Sequence, residues 1–464
     1  MHNDRKTTSV DKGDFSTGSV SGHIVRLAVP MALAQLVNVL YTVISKIYLG
    51  HLPGASHLAL SGVGVTLPIV FLIGSVSALC STGGGPLFAI SRGKGDDKEA
   101  ESIMGNCFTM LISFGIIATT LVLIFRTPLL FLFGASEETY QFAREYLTFY
   151  SLGSVFVMIT MGMNVFINAQ GFGRVAMTTT IIGAVVNLIL EPIFIFGLDM
   201  GVRGAALSTV AAQFCSAFWV LRFLFFKSIL RIKRSRMRLS LVRVKKIVAL
   251  GMSGFMMMMT NTLSTVMANI MLSRHGGDMY IGIMAVINAL REIISMPIFG
   301  MERGASPVIS FNYGAKLYDR VRQAIRFKVK VAAIYGVFAT IVVMVIPAML
   351  LGIFSSDVEL IAAGVPALRI YYMMYAFMIM QMTAQQVFVG LGYTKQAIFF
   401  SLLRKAFLVA PLTILLPELG LGTYGVFIAE AISQLIGGLA TFGTMYVIVY
   451  RRLKDRKDSI NGKI

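Results

Sequence analysis

The pattern of apolar and polar positions along the chain is dominated by long apolar runs. Crossing the hydrocarbon core of a bilayer takes about 20 mostly apolar residues. Twelve stretches meet that length: 24–49, 58–91, 103–133, 143–170, 176–198, 202–226, 246–273, 280–311, 326–353, 363–392, 397–419 and 423–449. Membrane-spanning strands are runs of roughly ten alternating residues. These runs are too long and too continuously apolar for that. The expected fold class is an all-α polytopic membrane protein with twelve transmembrane helices.

The second half of the chain repeats the first at an offset of about 221 residues. IVRLAVPMALAQLVNVLYTV (24–43) aligns with IVALGMSGFMMMMTNTLSTV (247–266), and GGGPLFAISRGKG (83–95) with GASPVISFNYGAK (304–316). LLFLFGASEE (129–138) aligns with LLGIFSSDVE (350–359), and AQGFGRVAM (169–177) with LGYTKQAI (391–398). Each half holds six spans. An even number gives both halves the same orientation in the membrane, so the expectation is two parallel, pseudo-symmetric six-helix lobes with a substrate path between them. The expected organisation is a tail over 1–22, an N-lobe over 23–226, a basic linker over 227–245, a C-lobe over 246–450 and a tail over 451–464.

Composition agrees with this picture. Of 464 residues 56% are hydrophobic and 14% charged, against about 25% charged in soluble domains. The net charge of +19 first suggests nucleic acid. The basic residues fall between apolar runs instead of gathering on a polar face, so no nucleic-acid partner is expected. With the N-terminus inside, about 30 of the 41 Lys and Arg residues lie on the cytoplasmic side, as the positive-inside rule requires. Both termini are then cytoplasmic. Residues 1–22 lack the apolar core of a cleavable signal peptide. Cys80, Cys107 and Cys215 all lie in apolar segments, which leaves no CxxC metal site or disulfide framework. Gly83-Gly84-Gly85 lacks the Lys-Ser/Thr of a phosphate loop, and no motif of a hydrolase or metalloenzyme appears. Neither an enzyme nor a cofactor is expected.

An ionisable group at bilayer depth is costly and therefore asks for a function. Glu191, in NLILEPIFIF, stands directly before Pro192 inside an apolar span. Proline deletes one backbone hydrogen bond and frees a carbonyl that can help bind a cation. Asn187 is one turn earlier on the same face. The aligned position in the second half is Ala410, before Pro411, so the acid is confined to the N-lobe. Burial favours the protonated carboxyl and an approaching cation favours the ionised one, so Glu191 can alternate between the two. A structural carboxylate held by its neighbours is the plainer reading.

Several stretches together resemble the multidrug and toxic compound extrusion (MATE) family of transporters. They are LYTVISKIYLGHLPG, LALSGVGVTLPI, GGGPL with GKGDDKEAE, LFGAS, NAQGFGRVAM, NLILEPIFIFGLDMGVRGAALSTVAAQ and PIFGMERGASPVISFNYGAK. The major-facilitator fold also has two parallel six-helix halves. Its cytoplasmic loop between spans 2 and 3 usually reads GxxxDRxGRR, whereas RGKGDDKEAES stands here. The resemblance implies secondary active efflux of amphipathic organic compounds in exchange for protons or sodium. It implies a bacterial cytoplasmic membrane and a monomer. More distant relatives flip lipids or lipid-linked oligosaccharides, which is the alternative function; a sensor that has lost transport is a third.

The resemblance further implies that Tyr41, Asn164, Asn187 and Thr209 share a polar cluster with Glu191. The family's first span usually carries Asp where this chain has Ser45, and one acid instead of two favours a proton over a tightly held sodium ion. Asn38, two turns before Ser45, extends the cluster. Pro30 and Pro192 are candidate hinges, since both interrupt the helical ladder. Nineteen of the 29 methionines lie after position 245, and flexible thioethers suit promiscuous apolar binding. The C-lobe charges are Arg291–Glu292, Glu302–Arg303, Arg404–Lys405 and Glu430. Arg291, Glu292, Met258, Met378, Gln381 and Gln385 are the candidates for a substrate cavity. Arg404 and Lys405, if they face it, disfavour cationic drugs.

Overall fold

Lipid offers the backbone no hydrogen-bond partners, so a spanning chain must satisfy itself within each segment. In the computed structural model it does so with helices; no strand occurs among the described residues. The structure describes residues 13–50, 56–354 and 357–455, so parts of both expected tails, 1–12 and 456–464, lie outside the described residues.

Among the described residues eight helical stretches are long and apolar enough to cross a bilayer. Two of them are double. Leu241–Gly314 breaks at Gly277 (φ 68°), and the stretch Thr394–Asp455 breaks at Gly420 and Gly422 (φ 93° and 50°). Positive φ is open to glycine without steric cost, so these glycines make the hairpin turns. Two further spans each consist of two helices meeting at 54° and 43°. Twelve crossings result: α1 (Val20–Gly50), α2 (Ser56–Gly93), α3 (Asp97–Leu132), α4 (Glu137–Leu152 with Ser154–Ala169), α5 (Gly173–Gly197), α6 (Gly201–Lys227), α7 (241–276), α8 (278–314), α9 (Tyr318–Val345), α10 (Val358–Tyr372 with Tyr375–Gly390), α11 (394–419) and α12 (422–451).

The lobes meet through backbone, at one end of the bundle. A Cβ on Gly93 would lie 2.0 Å from the Phe311 carbonyl oxygen, and one on Gly314 would lie 2.0 Å from that of Ile90. These two contacts are the same contact at an offset of 221 residues, so the pseudo-two-fold axis passes through this α2–α8 crossing. Beside it Gly83 and Gly251 interlock with the backbone of Ile247 and Leu79. The symmetric counterpart sets Gly300 and Gly304 against Ala32 and Ala28 of α1. Small residues let the helices approach this closely, and dispersion between them replaces the missing hydrophobic drive.

The same end is strapped from outside. Residues 13–19 run from α2 to α9: Arg92 donates to the Gly13 carbonyl at 2.5 Å, and Arg320 donates to those of Phe15, Thr17 and Gly18 at 2.8–3.2 Å. Asn312 adds a bond to Phe15 O at 3.1 Å, and the Phe15 ring meets Phe311 edge-on at 5.6 Å. The basic linker also docks here. Lys233 and Arg243 pair with Glu101 and Glu99 at 2.7 Å, and buried Asn106 exchanges hydrogen bonds with Arg238 O and Ser240 N. The acidic start of α3 is thus the linker's landing site.

The seam predicts a sharp contrast between two glycines. Gly314→Ala puts a methyl group against backbone that cannot move aside, at an overpacking cost of about 1–3 kcal/mol. Its Tm in detergent should fall by several degrees. Gly64→Ala has nothing within 4 Å of the new carbon and should be neutral or stabilising.

Candidate functional site

Glu191 closes the regular part of α5. Pro192 has no N–H to offer the Leu188 carbonyl, and the helix relaxes into a π-turn over Ile193–Gly197. Glu191 lies about 27 Å of helix from Gly173, far from the closed seam. Its side chain is 0% exposed. Ser45 of α1 donates its hydroxyl to Glu191 Oε1 at 2.5 Å, while Oε2 is buried with no hydrogen-bond partner. One turn earlier, Asn187 Nδ2 donates to Thr209 Oγ1 of α6 at 3.4 Å, and Asn187 Oδ1 is also buried without a partner. Thr209 spends its own proton on the Ala205 carbonyl at 2.9 Å.

Two buried acceptors on one face of α5 therefore lack donors. Buried polar atoms are almost always satisfied. A proton on the carboxyl or a small cation is what this set of oxygens can take. Tyr41 of α1 stands close enough to feel the Glu191 charge. So does Tyr146 of α4, which also approaches Thr209 and stacks on Tyr150 at 5.9 Å. Sequence reasoning missed Tyr146, because nothing in EYLTFY sets it apart from an amphipathic helix end.

The other candidates divide. Asn38 is half-buried on α1 two turns before Ser45, and its carbonyl accepts from Thr42. Asn164 donates its amide to the Ala176 carbonyl at 3.0 Å and accepts from Thr179. Gln385, 221 residues later, makes the equivalent bond to the Ala397 carbonyl at 2.6 Å and a second to Ser401 at 2.7 Å. A clamp repeated in both lobes belongs to the fold they share, so the placement of Gln385 does not support a substrate contact. Met378 is 3% exposed and packed in the C-lobe core. Glu292 is exposed and points away from the cavity that its neighbour Arg291 lines, since adjacent helical residues diverge by about 100°. Met258 reaches across the lobe interface towards Gly74, and Gln381 lies buried beside Arg404 near Gly437. Pro30 sits buried in an unbroken α1, between the two alanines that touch α8.

The C-lobe has two buried ionic clusters of its own. Glu302 pairs with Lys328 of α9, which is 0% exposed, and Thr383 bonds both partners. In α11 a π-turn over Leu403–Val409 carries Arg404 and Lys405. Both pair with Glu430 of α12, Arg404 at 3.3 Å. Removing one partner of such a buried pair costs about 3–5 kcal/mol, because a lone buried charge remains. Among the described residues no group of three His, Cys, Asp or Glu side chains could hold a metal ion.

Comparison with known proteins agrees with this architecture. The MatE family model matches twice, over residues 30–193 and 254–415, once in each lobe. The multidrug export protein MepA of Staphylococcus saprophyticus is 24% identical over 451 residues, covering 97% of this chain and 98% of its own. MepA of Staphylococcus aureus strain MSSA476 is 22% identical over 449 residues with the same coverage. A solved structure, described as an outward-facing conformation of a multidrug resistance MATE family transporter of the MOP superfamily, superposes with a TM-score of 0.89. It is 21% identical, with 97% of this chain and 100% of that one covered. With 12 helices in two lobes and a family match spanning both, the chain belongs to the MatE family, the multidrug and toxic compound extrusion transporters.

Proposed function

We propose that this transporter is a multidrug antiporter of the bacterial cytoplasmic membrane, expelling amphipathic organic compounds in exchange for inward movement of protons or sodium. The observation that carries the reading is the Glu191 carboxyl, fully buried, with one oxygen on Ser45 and the other unpartnered. Export as such is supported by similarity to the MepA proteins.

The lobe seam, strap and linker lie at the end that carries most of the Lys and Arg residues, which the positive-inside rule sets in the cytoplasm. In that orientation the lobes are shut inside, and Glu191 lies near the outer face. A cation arriving from outside meets it there. Neutralising Glu191 removes the charge that the Ser45 hydroxyl serves. Because Ser45 sits on α1, that change acts on a helix whose other end is packed against α8. Pro30 lies between the two. A single carboxylate with neutral neighbours suits one proton better than a dehydrated sodium ion, which needs several anionic or carbonyl oxygens.

Three outcomes follow. Glu191→Gln should lower ion-driven uptake into everted vesicles by at least about tenfold, as expected for an intramembrane coupling group, while substrate binding persists; unchanged coupled uptake removes Glu191 from the mechanism. Ser45→Asp sets a second carboxyl against Glu191, and two acids at contact must share a proton or recruit a cation. It should confer stimulation by sodium that the native protein shows weakly or not at all, measured with imposed sodium and proton gradients in turn. Pro30→Ala should slow turnover more than it lowers expression; normal rates would mark a static kink.

A further inference from the structure

The lobes repeat in structure but not in charge. GVRGAALSTVAAQ (201–213) and GTYGVFIAEAISQ (422–434) align without a gap, Gly201, Gly204 and Gln213 falling on Gly422, Gly425 and Gln434. The docking is the same as well. Gly204 of α6 presses on the backbone at Phe194 of α5, and Gly425 of α12 on that of Leu416 and Pro417 of α11. Thr209 therefore stands where the C-lobe has Glu430. In the N-lobe a neutral threonine accompanies the lone acid Glu191. In the C-lobe the acid Glu430 accompanies Arg404 and Lys405, with Arg291 of α8 close enough to act on it. Three cations surround one carboxylate.

These groups line a small void, with about 20 Å³ open to a water-sized sphere. Arg291, Lys405 and Glu430 line one C-lobe cavity together with Ser264, Asn288 and Thr413. Exposed Thr265 marks its open side. Arg291 has the Tyr371 hydroxyl beside it and no ion pair of its own among the described residues. Thr413, 1% exposed, has a buried hydroxyl with no hydrogen-bond partner. Arg291 is half-buried, and a guanidinium partly withdrawn from water is stabilised by a counter-charge and hydrogen bonds. Its planar fork matches an oxyanion, and the charge-assisted bonds it then makes are among the strongest available. Nothing in the cavity suits a cation, because the single carboxylate there is already held by Lys405 and Arg404.

We propose that this cavity binds the acidic group of an amphipathic substrate, a carboxylate, sulfonate or phosphate, with Arg291 as its principal ligand. The assignment deepens the export reading and rests on it. It makes organic acids and zwitterions, alongside or in place of simple cations, the compounds this transporter carries.

Equilibrium binding tests it without requiring transport. Fluorescein, an anion, and rhodamine 123, a cation on the same xanthene framework, would be titrated against the purified full-length protein in detergent and followed by fluorescence anisotropy. Fluorescein should bind saturably and more tightly than rhodamine 123. Arg291→Gln should weaken fluorescein by at least about tenfold, the scale of a lost charge-assisted contact, and Arg291→Lys should restore part of that loss. Arg203→Gln, which alters an exposed ion pair, serves as the control. Native protein that prefers rhodamine 123, or a monodisperse Arg291→Gln protein with undiminished fluorescein affinity, would overturn the assignment. Displacement of fluorescein by phosphatidylglycerol, but not by benzoate, would give the site to a lipid headgroup and overturn its role in carrying a soluble acid. Fluorescein binding without ion-driven uptake in proteoliposomes would sink the export reading and leave the anion site standing. Dye efflux from cells without fluorescein binding would do the reverse.

Discussion

Two helices cross at residues 90–93 and 311–314 with no room for a single added carbon between them, and the arrangement of both lobes depends on that crossing. It lies on the pseudo-two-fold axis, so each contact has a mirror in sequence. Gly93 repeats as Gly314, and the Gly83–Gly251 interlock repeats as the packing of Gly300 and Gly304 on α1. In lipid no hydrophobic gain holds helix to helix. Close approach and the polar strap over residues 13–19 supply the adhesion instead. Because both are confined to one end, the lobes are joined like the two arms of tongs. Among the described residues the other end has no comparable contact.

The shared scaffold and the separate chemistry of the lobes can be told apart residue by residue. Asn164 and Gln385 make the same clamp to alanine carbonyls 12 residues further on, and Gly204 and Gly425 make the same helix contact. These are features of the fold. Glu191 has no acidic counterpart at Ala410, and Thr209 faces Glu430 across the repeat. Duplication fixes packing in both halves at once, whereas a charge is worth having in only one of them. Where the repeat breaks is therefore where function is to be sought. On that criterion Asn164 belongs to the framework around Glu191, while Ser45, which bonds the carboxyl, and Asn187, one turn before it, are its unrepeated neighbours.

Much of this was legible in the amino-acid order. Length and apolarity mark the spans, the 221-residue offset marks the lobes, and an acid beside a proline at bilayer depth marks Glu191. Pairings between distant helices were not legible, since periodicity describes one helix at a time. Glu302 has Arg303 next to it in sequence but Lys328 next to it in space. Tyr146 lies in the first of two α4 helices that meet at 54°, so periodicity over the whole span does not show what it faces. The π-turns at Ile193–Gly197 and Leu403–Val409 rotate the residues around them out of the ordinary helical register. A helical wheel therefore misplaces Arg404 and Lys405, the residues whose facing decides what the C-lobe can hold.

In the proposed exchange, two sites of opposite sign serve one cycle. The N-lobe acid and the C-lobe cationic cavity are too far from the seam to touch it, yet each is built on a helix that does. Ser45 and the Ala28–Ala32 contact share α1, and Arg291 and Gly300–Gly304 share α8; the same α1–α8 packing joins the two. A change of charge at either site acts on a rigid rod whose far end is part of the closure, so each ligand can bias the same opening equilibrium without meeting the other. Coupling of this kind is necessarily reciprocal in binding free energy. In the proposed exchange, a cation at Glu191 and a ligand in the C-lobe cavity would alter each other's affinity by the same factor. An entering cation and a departing organic anion would move charge in the same direction, so their charges add and an inside-negative membrane potential would drive both.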